Sequence, residues 1–219
     1  MKNPLILVSF MVLASFLSFS INDAHAATDI DLLDQQSCQA VPLSGIWNVT
    51  TSTCTISKLR LGSDDSLTVD NSIFSNIVLT ITGYVNNDGT ITNSGIISIN
   101  QGGAIDNYGK IINNQKGIIT NSGTFTINEF GVVINKGGTI TNYATMIQSI
   151  RGAITNSGTI KNMCVGSFTS NGNFNGNPVE NIACTTISKP STVPEFPFAL
   201  PVLVISIASM IIFYRKFKF

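Results

Sequence analysis

The stretch "GAITNSGTIKN" (152–162) has near-copies upstream: "GTITNSGIISIN" at 89–100, "GIITNSGTFTIN" at 117–128 and "GTITNY" at 138–143. The shared unit is Gly-x-aliphatic-x-Asn. It starts at residues 83, 89, 103, 109, 117, 131, 138, 152 and 158, with degenerate copies at 95 ("GIISI"), 123 ("GTFTI") and 144 ("ATMIQ"). Most steps are six or eight residues. Helical repeats need two helices and about 33 residues or more, so each unit is read as a short strand plus a turn. Gly opens the unit because a tight corner needs either positive φ or close backbone approach.

Strand side chains alternate between faces, so the aliphatic residue and the Asn of one unit point the same way. The predicted inward aliphatic column is Val85, Ile91, Ile105, Ile111, Ile119, Val133, Ile140, Ile154 and Ile160. Beside it, at the inner corner, the pattern places Asn87, Asn93, Asn107, Asn113, Asn121, Asn135, Asn142, Asn156 and Asn162. Thr, Ser and Lys face outward. A single strand of this length cannot bury its apolar side, whereas stacked copies can. Stacking also explains an inward Asn, because each amide can donate to one neighbouring coil and accept from the other.

Three consecutive units carry the pattern from 83 to 103, from 103 to 123 and from 123 to 144. The expected fold is all-β: a parallel β-helix, or β-solenoid, with three short strands per coil of roughly 20 residues. The uneven six/eight stagger favours a right-handed coil over the left-handed hexapeptide type. A flattened 14-residue coil is the geometric alternative, since 89, 103 and 117 are 14 apart.

The flanks define the remaining organisation of the 219 residues. Residues 1–26 read as a signal peptide: Lys2, an apolar run, then "AHA", with an uncleaved anchor as the alternative. Residues 27–65 read as an N-terminal cap in which Trp47 covers the core, 66–162 as the solenoid, and 163–184 as a C-terminal cap, a Gly/Asn-rich loop closed by a disulfide. Residues 185–195 form a linker. The uncharged run 196–214 has the length of a transmembrane helix, and 215–219 is a basic tail. Arg215, Lys216 and Lys218 place that tail in the cytoplasm and the N-terminal region outside, a single-pass cell-surface topology.

Four cysteines in an exported chain suggest two disulfides. Of three possible pairings the positions favour Cys38 with Cys54 and Cys164 with Cys184. Zinc is the weaker reading, because no CxxC spacing occurs and His25 leaves with the signal peptide.

The ending "VPEFPFALPVLVISIASMIIFYRKFKF" (193–219) resembles the PEF-type C-terminal sorting signals of archaeal surface proteins, including the thaumarchaeal variant: a Pro-Glu-Phe motif, an apolar helix and a basic end. Pro194, Glu195 and Phe196 match the motif, with Pro197 where Gly is usual. The resemblance implies processing by a membrane sortase; a plain transmembrane anchor is the alternative. The "GTITNSGTI" units are similar to those of β-helical adhesin and autotransporter passenger regions. Together these resemblances imply an archaeal, adhesin-like cell-surface β-solenoid.

Charge and motifs narrow the chemistry. Formal net charge is zero and charged residues make up 11% of the chain, against about 25% for ordinary soluble domains. Nucleic acid is not an expected partner. Asp88, Asp106 and Glu129 are too scattered for a carboxylate pair and read as solvated charges. Asp64, Asp65 and Asp70 could bind calcium but read better as a polar turn. No catalytic residue, cofactor or metal is expected, and the chain reads as a non-enzyme.

Asn48, in "NVT", is the candidate glycosylation site. The outward pairs Thr90/Thr92, Thr124/Thr126 and Thr139/Thr141 reflect β-propensity rather than a grid that binds an ordered surface. The expected function is that of a structural or adhesive envelope component, held in the membrane by its anchor and touching envelope glycans or other surface proteins. The alternatives are a carbohydrate- or surface-binding module, for which Tyr84, Tyr108 and Tyr143 are the plausible outward rings, and, behind it, a polysaccharide-degrading β-helix. Cross-β assembly of the Asn-rich repeats is a further concern.

Overall fold

The computed structural model describes residues 27–72 and 75–184. The expected signal peptide, linker, PEF motif, transmembrane helix and basic tail lie outside the described residues. Among the described residues no helix is long and apolar enough to cross a membrane. The coils lie in the first of two units, Met1–Ala183; the second is Cys184–Phe219.

In chain order the elements are β1 (Asp29–Leu32), α1 (Gln35–Gln39), β2 (Ile46–Asn48), β3 (Thr53–Leu61), β4 (Ser66–Val69), β5 (Asn71–Ser72), β6 (Ser75–Asn76), β7 (Val78–Asn87), β8 (Thr90–Asn93), β9 (Ile96–Ile99), β10 (Ala104–Asn107), β11 (Lys110–Asn113), β12 (Ile118–Asn121), β13 (Thr124–Ile127), β14 (Val132–Asn135), β15 (Thr139–Asn142), β16 (Thr145–Gln148), β17 (Ala153–Asn156), β18 (Thr159–Asn162), β19 (Ser167–Ser170), β20 (Asn173–Gly176) and β21 (Val179–Asn181).

From β8 onward each strand pairs in parallel with the strand three places along, so three faces wind around one core. Face A stacks β1, β4, β8, β11, β14, β17 and β20. Face B stacks the second halves of β3 and β7 with β10, β13, β16 and β19. Face C stacks the first halves of β3 and β7 with β9, β12, β15, β18 and β21. The two long strands bend over the corner between C and B. The register slips there, between Ile56 and Lys58.

The result is a parallel β-solenoid of about six turns. Thr90 pairs with Lys110, Lys110 with Val132 and Val132 with Ala153, so successive coils begin face A at positions 90, 110, 132 and 153. The 14-residue coil is therefore excluded: units one apart lie on different faces and only every third unit stacks.

The nine predicted aliphatic residues are all buried, none more than 2% exposed. The solenoid also starts earlier than residue 66. β1 pairs with β4, so the segment read as a cap contains the first strand of face A. Leu59, Leu61, Leu67, Val69, Leu79 and Ile81 extend the core downward without matching the repeat. Residues 163–184 likewise are not a loop: β19, β20 and β21 complete one more turn. Phe168 and Phe174 meet edge to face there, ring centroids 6.3 Å apart, and close that end of the core.

The lower end is closed by α1, capped by Asp34, whose side chain accepts from the Ser37 amide. Cys38 and Cys54 are joined and fully buried, and Trp47 packs against the core. Cys164 and Cys184 are also disulfide-bonded, which in a chain of four cysteines leaves them as the second pair.

Of the two reasons for Gly at each corner, close approach is the operative one. A Cβ on Gly109 would lie 2.2 Å from the Gly89 carbonyl oxygen, and on Gly123 2.1 Å from that of Gly103. Positive φ occurs instead at Gly102, Gly137 and Gly176.

Candidate functional surfaces

The inward Asn side chains form one ladder per face. On face A, Asn93 Nδ2 donates to Asn113 Oδ1 (2.8 Å), Asn113 to Asn135 (2.9 Å) and Asn135 to Asn156 (2.8 Å). On face C, Asn121 donates to Asn142 (2.7 Å), Asn142 to Asn162 (2.8 Å) and Asn162 to Asn181 (3.2 Å). Face B has one rung of this kind, Asn87 to Asn107 (2.6 Å).

The same amides donate to corner carbonyls, such as those of Gly117, Gly138 and Ala144. The amide thus satisfies backbone oxygens that the tight turn directs inward. Eight of the nine predicted Asn residues are fully buried; Asn162, near the end, is half-buried. Gln148 is a rung the repeat pattern does not flag. It is fully buried, donates to the Gly152 and Asn173 carbonyls, and accepts from Ser170 Oγ at 2.5 Å.

Outward chemistry is unevenly distributed. The densest group lies low on face B. The Tyr84 hydroxyl donates to Asp106 at 2.8 Å, and Asn86 lies within 3.5 Å of Asp88. Lys58 is the neighbour of Tyr84 across the ladder and Arg60 that of Asn86. The bond to Asp106 favours the protonated phenol and pushes the Tyr84 pKa up to about 12. Tyr84 and Tyr108 are nearly half exposed, as is Tyr143 at another corner.

A second group sits at the corner between faces B and A. Phe130 is exposed and in the left-handed region (φ 65°), which bulky side chains rarely enter. The Arg151 guanidinium lies 5.4 Å from its ring centre and reaches Glu129 at 3.7 Å.

The three scattered acids are therefore engaged singly: Asp88 with Asn86, Asp106 with Tyr84, Glu129 with Arg151. Asp65 is buried and accepts from the Gly62 amide (2.7 Å) and the Thr28 amide (2.9 Å), the work of a turn-forming side chain. Among the described residues no three His, Cys, Asp or Glu side chains come together as metal ligands. Asn48 is exposed at the end of β2, and its Oδ1 accepts from the Thr50 amide at 3.0 Å.

The Thr pairs fall on three different faces: Thr90/Thr92 on A, Thr124/Thr126 on B and Thr139/Thr141 on C. No protein-family model, curated protein or solved structure matches the chain.

Proposed function

We propose that the chain is a non-enzymatic component of the archaeal cell envelope, displayed outside the membrane and serving as a spacer or adhesive module. The observation that carries this reading is the coil itself. Its inward amides donate to one another and to corner carbonyls, and Asp88, Asp106 and Glu129 are engaged singly. Two disulfides close its ends, as suits an oxidising exterior.

In this reading residues 1–26 are removed on export and the right-handed coil stands outside, tethered through 196–214 or cleaved near Pro194–Phe196. Protease treatment of intact cells, followed by intact-mass spectrometry of the native protein, tests it. The expected result is cleavage on intact cells and a mass that places the mature N-terminus at Ala27. Protection until lysis, with Met1 retained, would overturn the surface assignment.

A second reading is supported by the low face-B group: a carbohydrate site in which Tyr84 and Tyr108 offer rings while Asp106 and Arg60 offer charged hydrogen-bonding groups. Glycan-array binding abolished by Tyr84→Ala would support it; binding indifferent to that change would remove it.

A further inference from the structure

Face C differs from the other two in its outward side chains. The in-register ladders stack Thr55, Thr80, Ser98, Thr120 and Thr141 in one column over five consecutive coils. Beside it run Thr53, Val78, Ile96, Ile118 and Thr139, all β-branched. No ionisable or aromatic side chain enters either column until Lys161, which follows Thr141.

Face B carries Lys58, Arg60, Tyr84 and Asp106 in the corresponding positions, and face A carries Asp29, Asp31 and Lys110. The neighbouring strands set the spacing along the stack at about 4.8 Å, and the two-residue repeat along a strand sets the spacing across it at about 6.6 Å. Branching at Cβ leaves all of these side chains but Ser98 few rotamers, so most of the hydroxyls and methyls are already held in place before any contact.

We propose that face C binds the surface of ice. A neutral, two-dimensionally periodic set of hydroxyls and methyls is complementary to a neutral lattice of hydrogen-bonding water. A rigid array loses little conformational entropy when it meets one. A glycan chain would call for a ring to stack against, which this face lacks, and an ionic surface would call for charge. The inference stands apart from where the protein is displayed, since the purified chain carries the face.

The test is partition of the full-length chain into slowly growing ice, beside a co-dissolved globular control protein. The wild type is expected to be enriched several-fold over the control. Thr120→Tyr, in the middle of the hydroxyl column, should bring it to the control level. Thr126→Tyr, outward on face B, should leave it unchanged. Both substitutions point into solvent, and circular dichroism would check each fold; should Thr120→Tyr fail to fold, Thr141→Lys decides the same question. Exclusion of the wild type from ice, or equal loss in the face-B and face-C variants, would overturn the proposal. A dimer in solution that Thr120→Tyr dissociates, without ice enrichment, would assign the face to a second copy and overturn it equally.

Discussion

The lower and upper coils fill the same inward position differently. In the lower coils the second inward residue of each strand is aliphatic: Leu61 on face B, Val69 on face A, Ile81 and then Ile99 on face C. Higher up it becomes Asn87, Asn93 and Asn121 on those same faces. Corner length changes with it. In the lower part the A-to-C corners hold α1 with β2, and then β5 with β6. The strands of face A are accordingly farther apart in the chain there, Asp29 pairing with Ser66 and Ser66 with Thr90, before the regular steps begin.

An inward amide satisfies corner carbonyls from inside, so two residues suffice to turn a corner such as Tyr108–Gly109 or Tyr143–Ala144. An aliphatic residue cannot do this.

The ladder also has a direction. Every Asn donates upward, so its lowest rung has an oxygen with an apolar residue beneath. The Oδ1 atoms of Asn87 and Asn93, above Leu61 and Val69, are buried without a partner. Asn121 escapes this because the Gly123 amide donates to its Oδ1 at 3.1 Å. The seam between the two regimes is therefore a place where polar satisfaction is incomplete.

Three experiments break or sharpen this contrast. The largest effect is expected from Asn113→Leu, which makes an upper coil resemble a lower one. It removes the acceptor of Asn93 and strands the Gly117 carbonyl and Asn135 Oδ1. At about 1–3 kcal/mol for each buried group left unmade, partly offset by new apolar contact, a loss of about 4 kcal/mol is expected in chemical denaturation.

Next is the reverse change, made twice on β4. Val69→Asn places a donor under the unpartnered Asn93 oxygen, whereas Leu67→Asn puts an amide between Ile30 and Ile91. The second should cost about 2 kcal/mol more than the first, read from the two denaturation midpoints. Equal costs would mean that ladder position is irrelevant.

The smallest effect lies on the outer surface at the seam. Tyr84 has its pKa raised to about 12 in the folded protein, against an ordinary value of 10.0. The folded state thus holds the phenolic proton more tightly. The Tyr84–Asp106 contribution is complete below the unfolded value and fades as pH rises through the folded one, a window of about pH 10–12. Tyr84 is nearly half exposed, and solvent screening keeps the effect on stability slight. Ultraviolet titration should show the Tyr84 phenol ionising above its ordinary value, and Asp106→Asn should lower its pKa.

Much of the core is legible in the sequence because its cause is local. Gly-x-Ile-x-Asn states period two, and period two puts Ile140 and Asn142 on one side whatever stacks on them. The lower coils escape that reading because Leu67 and Val69 sit in "SLTV", without the Gly or the Asn that flags a unit. Residues 163–184 read as a loop because Asn and Gly crowd 171–177, yet Phe168 and Phe174 keep the inward period. The hydroxyl column of face C is hidden for another reason. It joins Thr80, Ser98 and Thr120, each a full coil from the next, while the Thr pairs that stand out in sequence are scattered over three faces.

The sequence by itself determined that short strands alternate and which residues point inward, because these depend only on near neighbours along the chain. Only the tertiary structure decided that every third unit stacks, which amide donates to which, where a ladder begins with an unpartnered oxygen, and which outward residues share a face. Those outcomes depend on contacts one full coil away, and nothing in a single unit specifies what lies above or below it.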